Sequence, residues 1–124
     1  MAEFPFVGLR ILIVEDETII ALDLKETFNV LGAEVVGPAM SGDEALDLIA
    51  LGNLDAAVVD VNLGGKLGGG VAAALRAVRV PTVVLTGRLA ADLPEEFRGL
   101  PVVPKPFGDA DLIRAVVAAL GKGN

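Results

Sequence analysis

Three short runs constrain this chain more than anything else in it. Leu9–Val14, Ala56–Val59 and Thr82–Leu85 are apolar almost without interruption and show no in-out alternation. A strand with one wet face alternates, and a strand buried on both faces does not. Such strands belong to a parallel sheet covered by helices on both sides. The segments between them supply those helices. Ile20, Leu24, Phe28 and Leu31 recur at helical spacing over Thr18–Leu31, with Gly32 as the stop. Ser41-Gly42-Asp43-Glu44 has the form of a capping box, and the helix it opens turns Ala45, Leu48 and Ile49 inward and ends at Gly52. A short strand is expected over Glu34–Gly37, a loop over Gly64–Gly70 and an Ala-rich helix over Val71–Val78. Leu89–Phe97, broken by Pro94, makes at best a short helix. Val102-Val103 reads as a last short strand. Asp109–Leu120 reads as a last helix with Leu112, Ile113, Val116, Val117 and Leu120 on one face.

Five β-α units in 124 residues predict one domain. Right-handed crossovers make it a doubly wound α/β sandwich. The flavodoxin-like order 2-1-3-4-5, with helices on both faces of a five-stranded parallel sheet, is the common solution at this size, although the pattern alone leaves other orders open.

Composition narrows the chemistry. The chain has no Cys and no His. Thiol catalysis, Ser-His pairs and Cys- or His-ligated metals are therefore ruled out, and any metal must be held by oxygen, which favours Mg²⁺, Mn²⁺ or Ca²⁺. A net charge of -7 repels phosphate backbones and argues against direct nucleic-acid binding. No apolar run is long enough for a membrane span, and the first residues, Met1-Ala2-Glu3-Phe4-Pro5-Phe6, lack the basic region of a secretory signal. A cytoplasmic protein is the expectation.

In an open α/β sheet, ligands bind beyond the carboxyl ends of the strands, at the switch point. Strand one here ends in Glu15-Asp16, strand three in Asp60, strand four in Thr86, and strand five near Lys105. The topology therefore brings these five residues together. Three carboxylates in one cleft repel each other unless a cation enters, and an all-oxygen set suits Mg²⁺. The ion is expected between Asp16, Asp60 and incoming phosphoryl oxygens, with the backbone carbonyl of Asn62 as a further ligand. Lys105 offers a point charge for a phosphoryl oxygen, Thr86 offers a hydroxyl, and Gly87 leaves the approach open. Each of these residues has an ordinary reading as a helix-start acid, a strand-end polar residue, a turn or a loop lysine. Their joint occurrence at strand ends outweighs it.

Glu15-Asp16, Asp60, Thr86 and Lys105-Pro106-Phe107 resemble the response-regulator receiver domain of two-component signalling, over essentially the whole chain. The resemblance implies that Asp60 accepts a phosphoryl group from a sensor histidine kinase or a histidine phosphotransferase. It implies that Glu15 and Asp16 hold Mg²⁺, that Thr86 and Lys105 contact the phosphoryl group and switch the domain, and that the Lys105-Pro106 peptide is cis. Asp60-Val61-Asn62-Leu63-Gly64-Gly65 and Leu85-Thr86-Gly87 look like the single-domain receivers of α-proteobacteria, whose Phe-Ala-Thr-Gly-aromatic motif is matched in part by Val84-Leu85-Thr86-Gly87-Arg88. A stand-alone receiver without an output domain is the expectation, acting on a downstream protein or as a phosphate shuttle or sink.

A haloacid-dehalogenase-type phosphatase also uses a strand-end Asp, a Thr or Ser, a Lys and acids. It needs a second Asp two residues after the nucleophile, however, where this chain has Asn62, which cannot transfer a proton in that way. The glycine-rich stretch Gly64–Gly70 fits no phosphate-loop pattern. Most receivers also carry an aromatic residue three positions before the Lys that rotates on activation. Here that position is Val102, and the chain has no Tyr or Trp. Activation is therefore expected as an ordering or displacement of Arg88–Arg98, a segment expected to hold few buried contacts.

Overall fold

The computed structural model describes residues 4–63, 66–67, 69–87 and 93–122. In chain order the elements are β1 (Arg10–Val14), α1 (Thr18–Val30), β2 (Glu34–Ala39), α2 (Gly42–Leu51), β3 (Ala56–Asp60), β4 (Asn62–Leu63), β5 (Lys66–Leu67), α3 (Gly69–Ala77), β6 (Thr82–Thr86), a single 3₁₀ turn over Glu95–Phe97, β7 (Val102–Pro104) and α4 (Asp109–Lys122). The main sheet has the order β2-β1-β3-β6-β7, all parallel. Counting its strands alone, this is the doubly wound 2-1-3-4-5 order read from the sequence.

The unalternated runs explain the layering. β3 and β6 are buried at every position, and β1 at all but its first. Alternate residues of these strands feed two cores. On one face, Leu12, Val14, Ala57, Val59 and Val84 pack with Ala45 and Ile49 of α2 and Val71 and Leu75 of α3. On the other, Ile11, Ile13, Val58, Val83 and Leu85 pack with Leu24 and Phe28 of α1 and Leu112 and Val116 of α4. The Ser41 hydroxyl caps α2 by accepting from the Glu44 amide at 3.2 Å.

Several boundaries differ from the sequence reading. β2 does not stop before Pro38 but runs to Ala39, with the Gly37-Pro38 peptide cis. Among the described residues it is an edge strand paired with β1 alone, so a residue without an N–H is tolerated there. The supposed loop after Asp60 contains a small antiparallel ladder, Asn62 opposite Leu67 and Leu63 opposite Lys66, and α3 begins at Gly69 rather than Val71. In α4, Val117 is 45% exposed and Ala119 takes the inward place instead. Val117 lies one residue beyond the buried Val116, about 100° round the helix, so the two cannot both face the core.

The N-terminal segment, which the sequence left without a role, is part of the fold. Phe6 is fully buried, its ring 5.3 Å from that of Phe28, and its amide donates to the carbonyl of Leu31. At Gly32, φ is +99°, and a Cβ there would sit 2.5 Å from Val7 Cγ2. The turn after α1 therefore needs glycine both for its backbone and for the strap that crosses it. Truncating Phe6→Ala should cost about 3–5 kcal/mol, as expected for emptying a fully buried aromatic site. Urea denaturation would read this as a lower midpoint at unchanged slope.

Candidate functional site

Each site residue is delivered by the last step of a strand. Glu15 and Asp16 follow β1, Asp60 closes β3, Thr86 closes β6, and Lys105 follows β7. Neighbouring parallel strands end at the same level, with Val14 opposite Val59 and Asp60 opposite Leu85, so the five side chains meet at one rim. Three of them are nearly inaccessible: Glu15 at 0%, Thr86 at 2% and Asp60 at 4% exposure. Asp16 and Lys105 are half-buried and Gly87 is exposed. The structure brings Glu15, Asp16, Asp60 and Lys105 into direct proximity, and it gives Thr86 the end of the adjoining strand.

A carboxylate at zero exposure has to be compensated. Glu15 is held three ways. Its amide donates to the Ala39 carbonyl at 2.9 Å. One of its carboxylate oxygens accepts from the Glu17 amide at 3.2 Å, and the other faces the Lys105 ammonium at 3.2 Å. The same ammonium lies 3.1 Å from Asp60 Oδ2. Lys105 thus bridges two buried acids, and its own amide is fixed to the Thr86 carbonyl at 2.8 Å. The Lys105-Pro106 peptide is cis.

The site is crowded with acids. Carboxylate oxygens of Glu15, Asp16 and Asp60 all lie within 4.8 Å of one another. Burial above all, then the hydrogen bond and the charge of Asp60, push the Glu15 carboxyl up to about 7, while the Glu17 amide and the Lys105 charge pull the other way. For Lys105, burial disfavours the charged form, but Asp60 and Glu15 outweigh it and the ammonium is held above its ordinary range. The donor set is wholly oxygen and anionic, packed to the span of one coordination sphere. That chemistry fits a hard divalent cation such as Mg²⁺.

A family model described as "Response regulator receiver domain" matches residues 11–117. The chain belongs to the response-regulator receiver family. The transcriptional regulatory protein PdtaR of Mycobacterium tuberculosis is 37% identical over 117 residues, which cover 91% of this chain and 57% of that protein. The receiver thus spans little more than half the length of this curated relative. Among solved structures, a response regulator receiver protein from Sinorhizobium medicae WSM419 matches with a TM-score of 0.81 at 28% identity, covering 94% of this chain and 97% of that one. SdrG from Sphingomonas melonis Fr1 matches at 37% identity with a TM-score of 0.73 and the same coverage. No helix among the described residues is long and apolar enough to cross a membrane.

Where the Arg88–Arg98 segment is described, at Leu93–Arg98, the structure corrects the expected scarcity of buried contacts. That described stretch is held from two sides. Phe97 is fully buried and Leu93 nearly so, both in the α2/α3 core. The Arg76 guanidinium of α3 donates to the carbonyls of Glu96 and Arg98. Residues 88–92 lie outside the described residues. Val102, at the position where most receivers carry an aromatic, is half-buried and packs against the same core. Sequence reasoning also missed the backbone partners of Glu15. The Gly37-Pro38 dipeptide, a turn signal inside a strand, was the one hint that β2 does something unusual there.

The raised Glu15 value gives a pH dependence with a definite sign. The folded state holds a proton that the unfolded state has released, so this group favours folding most below about pH 4.5, and that contribution declines as pH rises to about 7. In protein freed of divalent ions, carbon-detected NMR of the Glu15 carboxyl should show a midpoint near 7, and added Mg²⁺ should lower it.

Proposed function

We propose that this receiver is a phosphoacceptor whose nucleophile is Asp60, with a divalent cation, Mg²⁺, held by Glu15, Asp16 and Asp60 and the backbone carbonyl of Asn62. The observation that carries the reading is the Lys105 bridge: one ammonium within 3.2 Å of both Glu15 and Asp60, in a cluster of three carboxyls. A structural ion pair needs one acid per base. This cluster gathers three carboxyls within the span of one coordination sphere and holds an ammonium against the proposed acceptor carboxylate.

The step is a transfer to carboxylate. An Asp60 oxygen forms the new O–P bond as the bond from phosphorus to the donor breaks. The donor departs with that electron pair, as imidazole from a phosphohistidine or as acetate from acetyl phosphate. The bound divalent ion would supply charge neutralisation for the phosphoryl oxygens. Lys105, freed from Asp60 when that carboxylate is esterified, keeps its charge and pairs with a phosphoryl oxygen. Thr86 donates its hydroxyl to another, and Gly87 leaves room for the group to enter. Because Lys105 is tied to Thr86 through the backbone, the two respond together. The partners on this reading are a sensor histidine kinase or histidine phosphotransferase as donor and a protein that distinguishes the phosphorylated state.

Incubation with acetyl phosphate and Mg²⁺ should add one phosphoryl group by intact-mass spectrometry, and Asp60→Asn should abolish the addition. Equal labelling of that variant would refute the assignment. Mg²⁺ should stabilise the fold by about 1.4 kcal/mol at ten times its dissociation constant. Asp16→Asn should make the metal-free protein more stable and remove the Mg²⁺ response in a thermal melt. Sustained multiple turnover of a chromogenic phosphate ester would instead favour a phosphatase.

A further inference from the structure

The ladder between β1 and β2 contains an irregularity with no counterpart on the other side of β1. Toward β3 the register is unbroken, from Ile11 opposite Ala56 to Val14 opposite Val59. Toward β2 it runs Arg10 to Glu34, Ile11 to Val35 and Leu12 to Val36, and then jumps, so that Val14 faces Ala39. Two steps along β1 are matched by three along β2. An extra residue of this kind bends its strand and re-aims the residues after it, and such bulges concentrate beside active sites. Because of it, Ala39 rather than Pro38 faces the α2/α3 core beside Val14, and the Ala39 carbonyl receives the amide of Glu15 at 2.9 Å.

The bulge depends on Gly37. Its φ is +95°, and a Cβ built there would lie 2.5 Å from the Ala39 nitrogen and 3.0 Å from the Ile13 carbonyl oxygen. Both neighbours are backbone and cannot rotate aside. One belongs to the residue whose carbonyl anchors Glu15, and the other is on β1 two residues before Glu15. Any side chain at position 37 therefore pushes on both strands where they hold the most buried acid of the site.

We infer that Gly37 is a positioning residue for the acidic cluster: by omitting a side chain, it lets the β2 bulge close on β1 and sets the height of Glu15, and with it the geometry offered to the divalent cation. This rests on the metal-binding reading above. Groups that hold metal ligands in place commonly change affinity by about 10–100-fold when altered, and Gly37 acts at that remove, through Ala39 and Ile13.

The test compares Gly37→Ala with Gly52→Ala. Gly52 also has a positive φ, +78°, but a Cβ there meets nothing within 4 Å, and it sits at the far end of α2. Both variants place a side chain at positive φ, and only the first presses on the site. Gly37→Asn is carried as well, since asparagine accepts positive φ more readily while keeping the Cβ contacts. Mg²⁺ affinity is measured by isothermal titration calorimetry, and exchange of the Glu15 amide by NMR without metal. The expected result is Mg²⁺ affinity at least about tenfold weaker and faster Glu15 exchange in the Gly37 variants, with Gly52→Ala binding as wild type. Wild-type affinity in both Gly37 variants, or an equal loss in Gly52→Ala, overturns the assignment. Absence of Mg²⁺ binding by the wild type would count against the metal reading instead, and Glu15 amide exchange, which needs no metal, would then decide the role of Gly37.

Discussion

One ammonium shared by two buried carboxylates is the interaction on which the rest of this molecule turns. Without Lys105, Glu15 and Asp60 would face each other at almost zero exposure, lacking the one ammonium that now lies against both. Removing one partner of a buried ionic group typically costs several kcal/mol because the other charge is left uncompensated. The sheet is arranged to keep this arrangement intact. β1 and β3 are adjacent, so their terminal acids are adjacent, and β7 approaches from the edge with its lysine held through the Thr86 carbonyl. The two cores above and below the sheet make the strand ends rigid enough for distances near 3.1 Å to be held.

The crowding of acids also bears on stability. Among the described residues, one ammonium is shared by Glu15 and Asp60, with the Asp16 carboxyl close beside them. Here the strain is visible in the raised carboxyl of Glu15, caused first by burial and then by Asp60.

The rim of polar residues and the doubly covered parallel sheet were legible in the sequence because both arise from features that a single chain displays, whereas the strand order was only the common solution at this size. Runs such as Ala56–Val59 announce burial on both faces, and a polar residue at the end of such a run has only the sheet's rim to occupy. The features that were not legible depend on pairing between distant segments. The ladder of Asn62–Leu63 with Lys66–Leu67 hides in a glycine-rich stretch whose composition reads as loop. The bulge at Gly37 is a matter of register, which neither β1 nor β2 specifies alone. Phe6 was given no role in the sequence reading because nothing local shows that Phe28 leaves it a place. The firmness of the Leu93–Arg98 stretch could not be read either, since its anchor, Arg76, lies on another element and acts on carbonyls rather than side chains.

That anchor has a consequence for how related chains should be compared. Arg76 reaches two carbonyls, those of Glu96 and Arg98, with a planar fork of nitrogens. A lysine offers one point of charge on a flexible stem and cannot span both at once. A substitution table would score such an exchange as mild, yet in this fold it would leave one end of the 3₁₀ turn untied. The residues at 96 and 98, by contrast, contribute only their backbones to the tie and are free to vary in side chain. Selection at this junction should therefore fall on α3, while the segment it holds drifts, and alignments that look for conservation inside the segment would overlook what fixes it.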